Sequence, residues 1–256
     1  MSSPFKRSPR VAIRALWLAG ELVLGLLRFA ALIAARLGVP DRATRARWLQ
    51  HSCQRALRVL QVDLCVTGTV PSSGLLVCNH LSYLDIFVLG ATAPCVFVSK
   101  CEVKRWPVFG WFASLAGTLF LRRDKRSDVA RITGEMGGLL DSGALVVVFP
   151  EGTTSDGREV LPFKSSLLEP AARQPHALSA GFIEYALSDG DVREEVCYWK
   201  DMTLFPHLLN LFRKRVIDAR RCFTELWPAS SDRKELARRL HSEVVRLKEA
   251  FSSLPE

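Results

Sequence analysis

Leu75-Leu76-Val77-Cys78-Asn79-His80-Leu81-Ser82-Tyr83-Leu84-Asp85 is the stretch on which the fold turns. Its four leading apolar residues read as a buried strand, a polar cluster follows, and Ile86-Phe87-Val88-Leu89 resumes an apolar run that reads as a helix. A strand that ends in polar residues and restarts as a helix sets side chains at the rim of a rigid scaffold, where catalytic groups are commonly placed. Here the cluster holds a histidine with an aspartate five residues later, a pair that can form a general base and the group that orients it. The same two residues can equally be a turn and a helix cap. Their neighbours decide between the two readings.

Working outward, Val62–Val70 alternates as a strand and Pro71-Ser72-Ser73-Gly74 is a turn. Downstream, the pattern predicts strands at Cys95–Ser99, Thr118–Leu121 and Ala144–Phe149, with helices at Trp106–Leu115 and 127–141 between them. Short buried strands alternating with helices predict a layered α/β fold. Further strands are predicted at Ala177–Tyr185, Glu195–Trp199 and Lys214–Thr224. A final helix opens on Asp232 and Glu235 as a capping box and buries Leu236, Leu240, Val244, Leu247 and Phe251.

Polar residues recur at the ends of these strands, where α/β folds place their sites. They are Lys100, then Arg122 and Arg123, then Glu151-Gly152-Thr153-Thr154-Ser155. Each alone could be a solvated strand end or a turn. Their recurrence at strand after strand favours a site.

The chain before this region differs in character. From Val11 to Val39 it is mostly apolar, with Arg14, Glu21 and Arg28 spaced seven residues apart through its middle. At about 100° per residue, that spacing keeps the three charges on one stripe of a helix. Trp17 to Ala35 approaches the length of about 20 apolar residues that a spanning helix needs, but Glu21 and Arg28 would then lie in hydrocarbon. A helix lying in the bilayer surface, with the stripe turned to protein or water, avoids that cost. Pro40 ends it, and Asp41 caps a second amphipathic helix running to about Leu60. Residues 1–60 thus read as a basic, apolar helical hairpin suited to an anionic membrane surface, and 61–256 as the α/β domain. Two further stretches suit either core packing or, with basic residues beside them, lipid contact: Trp106, Phe109, Trp111 and Phe112, and Leu204 to Phe212 followed by Arg213-Lys214-Arg215.

The 256 residues carry a net charge of +9, which calls for an anionic partner. No nucleic-acid recognition motif accompanies the charge, and nucleic-acid binding would leave the apolar N-terminus without a role. The seven cysteines form no CxxC pair and sit mostly in apolar runs. They read as reduced core residues of a protein on the cytoplasmic side.

The sequence resembles the glycerolipid acyltransferase family, which includes the 1-acylglycerol-3-phosphate acyltransferases. The family's His-x4-Asp motif is matched by His80 and Asp85, and its Gly-x-x-Phe-(Ile/Leu)-x-Arg block by Gly117, Phe120, Leu121 and Arg123. Its Phe-Pro-Glu-Gly-Thr-Arg-Ser block is matched by Phe149, Pro150, Glu151, Gly152, Thr153 and Ser155; a fourth block has only Pro175. Ser99-Lys100-Cys101-Glu102 with Pro107 and Gly110 resembles the segment between the first two. The resemblance implies a membrane-bound enzyme of phospholipid biosynthesis, monotopic on the cytoplasmic face, that moves a fatty acyl group from acyl-CoA or acyl carrier protein to the hydroxyl of a 1-acylglycerol-3-phosphate-like lysolipid, with a lyso-ornithine or other amino lipid as the alternative acceptor. It implies a catalytic pair, His80 and Asp85, and substrate contacts at Lys100, Arg122, Arg123, Glu151, Gly152, Thr153 and Thr154. No metal or further cofactor is expected. Thr154 stands where the family usually has an arginine associated with the acceptor's phosphate, and this resembles members that acylate lyso-ornithine lipids. A rival of another class is a non-catalytic, membrane-tethered lipid-binding protein.

Chemistry sets one condition on the pair. Five residues along a single helix hold side chains about 140° apart. His80 and Asp85 can meet only if His80 precedes the helix and Asp85 lies in its first turn.

Overall fold

The computed structural model describes residues 9–226 and 232–252, so residues 1–8 of the expected hairpin lie outside them. Seven strands form one sheet: β1 (Val62–Thr67), β2 (Gly74–Cys78), β3 (Val96–Lys100), β4 (Leu119–Leu121), β5 (Leu145–Val148), β6 (Leu178–Ala186) and β7 (Ile217–Leu226). Their order is β1-β7-β6-β2-β5-β3-β4. Neighbours are parallel except β6 and β7, which pair antiparallel. β2 is the central strand, with β6 on one side and β5 on the other.

The two-residue period of a strand divides β2 between two cores. Leu76 and Cys78 face the layer built from α1 (Pro9–Arg36), α2 (Arg42–Leu60), α3 (Leu84–Thr92), α4 (Phe109–Ala116) and α8 (Leu204–Leu211). Leu75 and Val77 face α5 (Arg126–Asp141), α6 (Glu169–Arg173) and α9 (Arg233–Ser252). Burial on both faces explains why β2 and β5 read as unbroken apolar runs rather than alternating ones.

α1 and α2 pack antiparallel. Glu21 pairs with Arg55, and the Trp48 Nε1–H donates to Gly25 O at 2.9 Å. A Cβ at Gly25 would lie 3.0 Å from the Phe112 ring, so its absence allows the close crossing of α1 over α4. The charged stripe faces protein for two of its three members: Arg14 is buried and donates to the carbonyls of Phe212 and Lys214, while Arg28 is exposed. The opposite face of α1 carries bare apolar side chains, with Leu16 74% and Leu27 62% exposed. α1 is long and apolar enough to cross a membrane. α2, by contrast, buries Trp48, Leu49, Cys53, Leu57 and Leu60 in the core and is a layer of the α/β fold.

Three expectations change. Glu195–Trp199 is not a strand: Asp191 caps a helical turn, α7 (Val192–Glu195), and the apolar residues after it plug the core as a loop. Its one strand-like bond, Tyr198 N–H to Leu81 O at 2.8 Å, ties that loop to the polar cluster after β2. The Arg213-Lys214-Arg215 triplet is not a uniformly exposed basic patch, because Lys214 is buried and paired with Glu195. Of the four aromatics near residue 110, Phe112 stacks on Trp48, Phe109 meets Phe87, and Trp106 meets Tyr83. Trp111 alone of the four is exposed.

Candidate active site

The site forms where β2 ends. Backbone pairing with β6 stops at Cys78, but the Asn79 carboxamide continues it: Nδ2 donates to Ile183 O at 2.9 Å and Oδ1 accepts from Ile183 N at 2.8 Å. This side-chain bridge keeps β6 alongside while the chain turns into the loop. His80 lies in that loop and Asp85 in the first turn of α3, which satisfies the geometric condition set above. His80 Nδ1 and Asp85 Oδ2 are 2.7 Å apart. Leu81 N and Ser82 N also donate to Oδ2, at 2.7 and 3.0 Å, and the Tyr185 hydroxyl donates to Oδ1 at 2.6 Å. Asp85 is fully buried yet surrounded by donors, which fix the orientation of its carboxylate. An acceptor at Nδ1 places the proton of neutral His80 there and leaves the Nε2 lone pair for a substrate.

The loop after β5 supplies the other wall. Phe149 stacks on the His80 ring at 4.0 Å, Glu151 Oε1 accepts from His80 N at 3.1 Å, and Ser155 N donates to His80 O at 3.0 Å. Burial, reinforced by the charge of Asp85, pushes the Glu151 carboxyl up to about 8 against the opposing His80 N–H. Among the described residues its Oε2 meets no donor within full hydrogen-bond geometry. Gly152 adopts φ +78°, and a Cβ there would lie 2.6 Å from Arg123 Nη1. Glycine at this position lets the guanidinium reach the Gly152 carbonyl, to which it donates.

A cavity of about 160 Å³ opens over His80. Lys100 and Arg123 line it with Gly152, Thr153 and Thr154, and Tyr83 and Tyr198 complete the wall. Partial burial lowers the pKa of both cations, and for Lys100 the charge of Arg123 adds to the effect. Two cations facing one small cavity favour an anion between them. Arg122 is not brought in: its side chain lies 4.0 Å from Asp128, away from the cavity lining. Pro175 precedes β6 at the end of the sheet opposite the site, because β6 runs parallel to β2. The Gly152 N–H is engaged with Phe149 O. Among the described residues, the N–H groups of Thr153 and Thr154 donate to no backbone carbonyl.

A general base oriented by a buried carboxylate, beside an anion-holding wall, suits attack by a hydroxyl on an acyl carbon. The acyltransferase family model matches residues 63–179, which span the site from β1 to the start of β6. The lyso-ornithine lipid O-acyltransferase of Pseudomonas aeruginosa is 34% identical over 92% of this chain and 92% of its own. This chain belongs to the acyltransferase family. The lyso-ornithine lipid O-acyltransferase of Brucella abortus is 39% identical to this acyltransferase over 66% of this chain and 69% of its own. Proteins named 1-acyl-sn-glycerol-3-phosphate acyltransferase match as well. A crystal structure of the 1-acyl-sn-glycerophosphate acyltransferase PlsC from Thermotoga maritima superposes with a TM-score of 0.65 at 21% identity, covering 96% of this chain and 99% of that one. It has the same fold as this acyltransferase.

The motif reading of this acyltransferase missed Tyr185 and Tyr198. The rule that singled out polar residues at strand ends points to Tyr185, the penultimate residue of β6. Tyr198, near the end of the stretch Glu195–Trp199 that read as a strand, carried the same signal.

Proposed function

We propose that the protein transfers a fatty acyl group from the thioester of acyl-CoA or acyl carrier protein to the hydroxyl of a lyso-ornithine lipid. The acceptor hydroxyl sits at Nε2 of His80. As its oxygen attacks the thioester carbon, its proton passes to Nε2, and Asp85 stabilises the imidazolium through Nδ1. The tetrahedral oxyanion meets backbone N–H groups at Thr153 or Thr154. Collapse breaks the carbon–sulfur bond, and His80 returns the proton to the leaving sulfur, giving an ester and a free thiol. Arg123 and Lys100 hold the carboxylate of the zwitterionic ornithine head group. Glu151 fixes the loop that carries His80, and it is not a second base.

Thr154 in the cavity wall carries the choice of acceptor. A guanidinium grips a phosphate dianion through paired, charge-assisted bonds that a hydroxyl cannot copy. An ornithine carboxylate carries a single charge and can be held by Arg123 with Lys100 nearby. The relatives named for lyso-ornithine lipid support this choice. The two cations also support a second acceptor, lysophosphatidic acid.

An apolar cavity of about 80 Å³ adjoins the first, sharing Tyr83, Ile86, Phe97, Val103 and Trp106 and reaching Leu18 and Leu22 of α1. It can take a short part of one acyl chain. α1 is about 42 Å long by the helical rise and is tied to the body from Arg14 to Phe29. This supports a helix lying along the domain, with its bare face in the cytoplasmic leaflet as a monotopic anchor.

Purified protein offered lyso-ornithine lipid, lysophosphatidic acid and other lysolipids with labelled thioester donors tests the reading. Lyso-ornithine lipid should be acylated fastest. His80→Ala should fold, bind vesicles and lose transfer. Transfer by His80→Ala at the wild-type rate refutes the mechanism; preference for lysophosphatidic acid refutes the acceptor. No transfer to any lysolipid favours the non-catalytic lipid-binding rival.

A further inference from the structure

We propose that Tyr185 is a positioning residue for the transfer step: its hydroxyl locks the Asp85 carboxylate so that Oδ2 faces His80. The inference rests on the proposed base role of His80, and its test separates the two.

The four donors to Asp85 are unevenly shared. His80, Leu81 N and Ser82 N serve Oδ2, and the phenol of Tyr185 serves Oδ1. A carboxylate held at one oxygen can swing about its Cβ–Cγ bond; held at both, it cannot. Tyr185 suits this task because it does not move with the loop. It sits on β6, whose position against β2 is set by backbone pairing and by the Asn79 bridge to Ile183. Ile183 and Tyr185 point to the same core, two residues apart. The bridge that fixes Ile183 therefore fixes the phenol over Asp85. The hydroxyl is a donor only in its neutral form, and burial beside Asp85 pushes its pKa well above the ordinary tyrosine value.

The other titratable groups around Asp85 are His80 and Glu151 on the two loops, Cys78 on β2 and Cys197 after α7. Burial raises both thiols, which stay neutral at working pH. Glu151 titrates at about 8 and falls on the alkaline side. With those groups set aside, the acid limb of the rate profile follows the proposed base. Taking the phenol away withdraws a hydrogen bond from the carboxylate. More negative charge then falls on the His80 side, so the imidazolium is favoured and the limb moves to higher pH.

The experiment measures kcat, acceptor KM, the pH profile of kcat/KM and thermal stability in vesicles. Tyr185→Phe should lower kcat about tenfold or more with KM unchanged, as expected for loss of a hydrogen bond to a charged group. Its acid limb should rise by about half a pH unit or more. Difluorotyrosine at position 185, a stronger donor of nearly the same shape, should keep kcat and move the limb down. Ile217→Val, a buried change on β7, should lose stability and shift neither quantity. An unmoved limb with unchanged kcat in Tyr185→Phe overturns the proposal. So does a limb insensitive to difluorotyrosine, the arm that decides the matter should Tyr185→Phe not fold. If His80→Ala retains transfer, the base reading fails instead.

Discussion

Replacing Asp85 by asparagine and by alanine should give two different failures. Asparagine keeps one oxygen to accept from Leu81 N, Ser82 N and His80 Nδ1, and turns its amide toward the Tyr185 oxygen, whose hydroxyl can reverse. The fold and the histidine tautomer survive; the negative charge does not. Imidazolium and carboxylate charges about 4 Å apart at an effective dielectric near 20 attract by about 4 kcal/mol. Losing that attraction in the transition state slows transfer about a thousandfold. Alanine strands Leu81 N, Ser82 N and the Tyr185 hydroxyl, at about 1–3 kcal/mol for each buried donor. The sum is comparable to the roughly 5–15 kcal/mol that holds a domain together, so Asp85→Ala should be largely unfolded at 37 °C, taken as about the upper end of ordinary assay temperatures. Initial rates with a labelled thioester donor, and thermal unfolding in the same buffer, measure both. Asp85→Asn within about tenfold of the wild-type rate, or Asp85→Ala as stable as Asp85→Asn, would refute the reasoning.

Two other outcomes can be checked. Glu151 titrates at about 8 in the folded protein but near the ordinary carboxylate value when unfolded. Its folded pKa is raised, so its contribution to stability is whole below the unfolded pKa and is lost as pH rises through about 8. Wild type should lose on the order of 4 kcal/mol relative to Glu151→Gln between pH 5 and 9; parallel denaturation curves across that range would contradict the burial argument. Leu16→Glu with Leu27→Glu changes two exposed residues of α1. Thermal stability should hold while binding to anionic vesicles weakens by about a hundredfold or more, from lost apolar transfer at about 1.5–3 kcal/mol for each leucine. Unchanged flotation with vesicles would remove α1 as the anchor.

The central strands were legible because β2 and β5 are buried on both faces, which leaves short apolar runs bounded by turn residues. The contact between His80 and Asp85, the proposed catalytic pair, was legible because the two are local, five residues apart with a strand before and a helix after. Val196 and Cys197 were misread for a physical reason. A pair of apolar residues buried by a loop looks the same in sequence as a pair buried by a strand, and only the lack of a neighbouring strand separates them. Arg122 was misplaced for a related one. Adjacent residues leaving a strand point to opposite faces, so Arg123 and Arg122 cannot both enter one cavity, and the pattern alone does not say which does.

Strand order was the larger gap, and the site depends on it. Asp85 and Tyr185 are separated by 100 residues, and periodicity says nothing about which strands become neighbours. Once β2 lies between β5 and β6, the residues that flank His80 follow. β5 delivers Phe149 and Glu151 from one side, and β6 delivers Ile183 and Tyr185 from the other. The two sides differ in what they can vary. The β5 side ends in a loop, where Thr153 and Thr154 face the cavity and can change with the acceptor without disturbing a strand. The β6 side is a paired strand that holds Asp85 through a buried phenol, so a substitution there acts on the base itself. Exchanging Thr154 for arginine should therefore shift the choice of acceptor and leave the acid limb of the rate profile in place, whereas Tyr185→Phe should move the limb and leave that choice alone.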